Sequence, residues 1–141
     1  MYYVNREQLS VRLQVIPEVA AALRQLEMNW DGSLLQGLAQ ERALHLAIET
    51  VTDIGSCLID GFIMRDASSY EDIVEIIGGE QVFPAALQET LLELVRLRKP
   101  LVQEYYEWNR ASLHPLTATL PETLTAFKSA VEAYLVQELG S

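Results

Sequence analysis

The sequence predicts an all-α domain, an antiparallel bundle of four long helices and one short one. Apolar residues recur at helical spacing through every long segment, and period-two alternation is absent. Capping residues and Gly or Pro stops divide the chain into five helical stretches. With 141 residues, half of them hydrophobic, the chain suits one domain over residues 1–141 that buries a core without staples.

The first helix is expected over about residues 6–27. Asn5 serves as N-cap with Gln8 three residues on, and the apolar stripe is Leu9, Leu13, Ile16, Ala20, Leu23 and Leu26. Pro17 falls inside the pattern and predicts a kink. Asn29-Trp30-Asp31-Gly32 is turn chemistry. The second helix is expected over about 33–63. At about 100° per residue, Arg42, Glu49, Asp53, Ser56 and Asp60 share a strip about 60° wide. The rest of its circumference is largely apolar, which predicts near-complete burial, partly against a second copy of the chain. Ser68 with Glu71 reads as a capping box for a short helix over 70–77, stopped by Gly78-Gly79. A fourth helix is expected from Pro84 to about Glu107, then a loop over 108–119. Thr119, with Pro121 and Glu122 behind it, starts the last helix, which ends at Gly140.

Composition narrows the function classes. Ten Lys and Arg against twenty Asp and Glu leave a net charge of −10, which disfavours general binding of nucleic acid, and no DNA partner is expected. Arg96, Arg98 and Lys99 form the one basic cluster. The single cysteine, Cys57, forms no internal disulfide, and no Cys/His set has metal-ligand spacing. A cytoplasmic home, no metal and no cofactor are therefore expected. Neither a signal peptide nor a long apolar run suggests a membrane.

The fourth helix carries the site candidates. Its apolar stripe is Leu87, Leu91, Leu94, Leu101, Val102 and Tyr105, and Arg98 falls in the middle of it. A guanidinium facing a core is costly unless paired. One reading gives it a carboxylate of the second helix, Asp53 or Glu49. The other gives it a phosphate, which its planar fork suits. His114 reads as an exposed loop residue and His45 as a packed or interface residue.

Arg98-Lys99-Pro100-Leu101-Val102-Gln103-Glu104-Tyr105 resembles the signature of the HepT-like branch of the HEPN superfamily. That signature is Arg, usually Asn, two variable or apolar positions, Val, His, any residue, Tyr. Ser69-Tyr70-Glu71-Asp72-Ile73, Val82-Phe83-Pro84 and Glu41-Arg42-Ala43-Leu44 resemble further segments of the family in the same order, so the resemblance spans about residues 33–107. It implies a homodimeric helical bundle acting as a metal-independent endoribonuclease, typically the toxin of a toxin–antitoxin pair. The antitoxin is then a small nucleotidyltransferase that adds AMP groups to the motif Tyr, here Tyr105. The matching catalytic positions are Arg98, Gln103 and Tyr105, with Arg96, Arg98 and Lys99 toward RNA or a nucleotide and Asp53 and Glu49 in support.

Three departures matter, the first being that the family's Asn is Lys99, which keeps some phosphate affinity. The family's His is Gln103, and an amide cannot act as general base. Pro100 bends the backbone inside the motif. In an ideal helix Arg98 and Gln103 point about 140° apart, so they converge only through that bend or across a dimer. The expectation is a ribonuclease-like protein with weak or no cleavage. The alternatives are a non-catalytic helical dimer that binds a nucleotide, RNA end or protein partner, and a plain interaction protein that has lost the site.

Overall fold

Asn5 opens α1 (Arg6–Leu13) as its side chain accepts the Gln8 N–H at 3.0 Å. The computed structural model describes residues 2–140. The single first helix expected there is two, because α2 (Val15–Asn29) is parted from α1 at Gln14. Proline has no N–H for the carbonyl four residues back, and its ring crowds that carbonyl. For Pro17 that carbonyl belongs to Leu13, so the break falls one turn ahead of the proline.

Ser33 caps α3 (Leu34–Gly61) by accepting the Gln36 N–H at 3.2 Å. This helix is the centre of the bundle, packed by α1 and α2 together with α4 (Tyr70–Gly79), α5 (Gln88–Arg96) and α6 (Pro115–Leu139). Leu44, Ile48, Val51, Ile54 and Leu58 are sealed from solvent. The polar strip emerges as expected: Arg42, Asp53, Ser56 and Asp60 are exposed and Glu49 is half-buried. The apolar circumference is covered mostly by the chain's own helices. What stays exposed gathers at the N-terminal end, at Leu34, Leu35 and Leu38.

The cap of α4 is Ser69 rather than Ser68, with its hydroxyl accepting the Asp72 N–H at 3.0 Å. Ser68 turns its own N–H and hydroxyl onto the Asp72 carboxylate at 2.9 and 3.0 Å. Glu71, the expected partner in the box, instead meets Arg96 at 2.6 Å. The last helix starts earlier than expected, at Pro115, so Pro121 lies inside it, buried. One backbone hydrogen bond is lost there, but Leu116, Leu120, Leu124, Phe127, Val131 and Leu135 continue one buried stripe past the proline. Burying each such side chain is worth about 1.5–3 kcal/mol, which outweighs that loss.

Candidate functional site

The motif does not lie on one continuous helix. A 3₁₀ turn (Ala85–Leu87) leads into α5, which ends at Arg96, and a π-helical turn (Lys99–Gln103) and a second 3₁₀ turn (Tyr105–Glu107) follow. Pro100 is the local cause, since it offers no N–H to the Arg96 carbonyl. The Leu101 N–H still reaches Leu97 at 2.8 Å, but the Glu104 N–H reaches five residues back, to Lys99, at 2.9 Å. A five-residue repeat changes the angle between successive side chains from that of an α-helix, and Gln103 is left exposed on the widened turn. The bend expected from Pro100 thus takes the form of a widened turn.

Arg98 is half-buried, as its place in the stripe predicts, but its partner is not the one expected. Among the described residues no carboxylate lies within 4 Å of it. Asp53 pairs with Arg12 at 3.5 Å, and Glu49 with His45 at 3.3 Å. The guanidinium carbon of Arg98 instead sits 4.3 Å from the ring centroid of Tyr70, the first residue of α4. Its Nε is sealed from solvent and has no hydrogen-bond acceptor.

The other candidates divide. Arg96 is engaged by Glu71 at 2.6 Å and Glu89 at 3.7 Å, so it is not a free cation for phosphate. Lys99 and Gln103 are exposed. Tyr105, placed by angle in the apolar stripe, is 57 % exposed because the 3₁₀ turn rotates it outward against Tyr106. His45 is half-buried beside Leu38, Arg42, Leu101 and Val102, which line a groove of about 350 Å³ between α3 and the π turn. His114 is not a free surface residue. Its ring stacks on Trp108 at 5.6 Å, and its Nδ1 accepts the Leu116 N–H at 3.1 Å as the cap of α6. Burial pushes its pKa below the ordinary value. An Nδ1 occupied as a cap acceptor is a poor proton carrier for the motif.

Other residues that hold the motif carried no sequence signal. Arg110 donates from Nη2 to the Tyr105 carbonyl at 3.2 Å and to Glu41 Oε2 at 3.4 Å, and its Nε lies 2.6 Å from Glu41 Oε1, a charge contact. Gln40, fully buried, accepts the His114 N–H at 2.8 Å and the Thr117 hydroxyl at 2.6 Å, and donates to the Ser112 carbonyl at 3.1 Å. The Arg110 carbonyl rests where a Cβ on Gly37 would stand, so only glycine lets the segment lie this close to α3. Together these contacts clamp residues 108–114 to the start of α3 and fix where Tyr105 is presented. All are long-range pairings, for which neither periodicity nor capping gives a sign.

Comparison with known proteins agrees with this geometry. The family model described as Ribonuclease HepT-like matches residues 13–133. YutE of Bacillus subtilis (strain 168), named as a candidate RNase, is 36% identical over 140 residues, covering 99% of this chain and 96% of that protein. A solved structure of YutE, described as a cytosolic protein of unknown function, superposes with a TM-score of 0.88 at 34% identity, covering 100% of this chain and 97% of that one. No helix among the described residues is long and apolar enough to cross a membrane. The all-α bundle, the ordered motif segments and a match over most of the length lead to one conclusion: the chain belongs to the HepT-like ribonuclease family of the HEPN type.

Proposed function

We propose that this chain is a ribonuclease-like HEPN protein that holds an RNA phosphate at Arg98 and cleaves the strand weakly or not at all. The observation that carries the reading is the Arg98 guanidinium, half-buried without a carboxylate and followed through the π turn by Gln103. A planar fork lacking an anion of its own suits a phosphodiester. Metal-independent cleavage needs one group to take the 2′-hydroxyl proton and another to return a proton to the leaving 5′-oxygen. The Gln103 amide can orient either oxygen, but it takes no proton. Tyr105 is exposed enough to be reached by a nucleotidyltransferase antitoxin, which fits the toxin role of the family. A symmetric dimer belongs to the same reading, with the exposed Leu34, Leu35 and Leu38 at the interface. Sedimentation showing only monomer at micromolar concentration would remove that element.

Cleavage of a labelled single-stranded RNA tests the central claim. Purified protein should cut slowly or not at all. Gln103→His should raise the rate, toward the roughly 10²–10⁴-fold that general acid–base catalysis supplies. Arg98→Ala should abolish the gain. Fast cleavage by the unaltered protein that Arg98→Ala removes would overturn the degeneracy and leave an active nuclease. An unaltered protein that neither binds nor cuts RNA would favour a module for a protein partner.

A further inference from the structure

We infer that Tyr70 is a positioning residue for Arg98, a ring that holds the guanidinium in place for a phosphodiester. The inference rests on the phosphate role of Arg98 proposed above and adds the residue that organises it. Tyr70 begins α4, and Ser69 caps that helix, so backbone and side chain start from a defined point. The residue is 39 % exposed, unlike a core aromatic. The guanidinium carbon of Arg98 lies 4.3 Å from the ring centroid, inside the range in which a cation is drawn to an aromatic face.

The surrounding charges explain why a ring does this work. A carboxylate beside Arg98 would neutralise it and compete with any phosphate. The nearby acids are drawn elsewhere: Glu71 to Arg96, Asp72 to Arg65, Asp53 to Arg12 and Glu49 to His45. A neutral aromatic face fixes the position of the cation and leaves its formal charge for a ligand. The buried Nε of Arg98, with no acceptor among the described residues, shows hydrogen-bonding capacity the fold leaves unused. A ring against one face also reduces the rotamer freedom that an arginine loses when it grips a phosphate.

The test is binding of a fluorescein-labelled single-stranded RNA, read by anisotropy at low salt, to four variants with matched melting curves. Tyr70→Phe keeps the ring and should bind within about twofold of the unaltered protein. Tyr70→Leu keeps apolar bulk without the aromatic face and should weaken binding about three- to tenfold. Arg98→Ala should weaken it at least as much. Adding Tyr70→Leu to Arg98→Ala should cost nothing further, because the ring acts only through the guanidinium. Normal binding by Tyr70→Leu beside a defective Arg98→Ala overturns the inference and leaves the proposed function intact. So does a Tyr70→Leu loss that persists without Arg98, which would make the tyrosine an independent base platform. Full binding by Arg98→Ala, or none by the unaltered protein, overturns both.

Discussion

Arg65 and Arg98 both meet the first turn of α4, and the chain satisfies them in opposite ways. Arg65 forms a two-pronged pair with Asp72, at 2.8 Å to Oδ2 and 2.7 Å to Oδ1. Ser68 completes the set from its N–H and hydroxyl, so the carboxylate is saturated. Arg98 has a tyrosine ring and, among the described residues, no carboxylate and no acceptor for its buried Nε–H. A charge matched by the chain's own anion is spent on the fold, here on pinning residues 65–69 to α4. A charge held by a neutral ring remains available to a ligand, at some cost to stability.

Thermal melts can break this comparison. Asp72→Ala should give the largest change, several degrees of lost Tm, because it removes the pair, the Ser68 contacts and an acidic side chain from the helix start. The same carboxylate should show in acid. The Arg65 guanidinium, helped by the Ser68 N–H, holds it well below the usual carboxylate range. The folded state therefore binds fewer protons than the unfolded one. Its contribution is full above the unfolded value of about 4 and is lost as pH falls below it. Urea titrations from pH 5 downward should show that decline, and Asp72→Ala should flatten it.

Arg98→Met should behave differently. It removes an N–H whose unpaired burial costs about 1–3 kcal/mol and substitutes an apolar chain of similar length, so Tm should hold or rise slightly. A drop as large as that of Asp72→Ala would make Arg98 a structural residue and erase the contrast. The smallest loss belongs to His114. Burial lowers its pKa, and its Nδ1 must stay unprotonated to cap α6. Its contribution is full above the ordinary value of about 6.5 and declines as pH falls below that. His114→Ala should cost about 0.5–1 kcal/mol at pH 7.5, on the scale of a lost cap, and less at pH 5.5. An equal cost at both values would mean that the ring contributes only by stacking on Trp108.

Legibility of the fold followed the range of each interaction. The Asn5 cap and the narrow polar strip of α3 are set within a few turns of chain, and they stand where expected. Errors came where tertiary packing overruled a local rule. Thr119 with Pro121 behind it predicts a helix start, yet a buried stripe carries α6 through both from Pro115. Ser68 has the residue type and spacing of a cap, yet Asp72 claims it. Pro100 was rightly expected to disturb the motif. That the disturbance takes the form of a widened turn depends on how the backbone recovers after Lys99.

The sequence by itself determined the all-α class, the near-complete burial of the long second helix, the family motif and the glutamine, Gln103, at the position of the family's histidine. Each is written in side-chain type and local spacing, and a Gln amide lacks a proton-transfer function in any fold. Only the tertiary structure decided that Arg98 goes without Asp53 and Glu49 and meets Tyr70, that Arg96 is occupied, and that Tyr105 faces solvent. A guanidinium can serve a carboxylate, a ring or a phosphate equally well in sequence. Which one it meets is set by how α3, α4 and the π turn pack, and a burial pattern names the face of a helix but not the residue that will stand opposite.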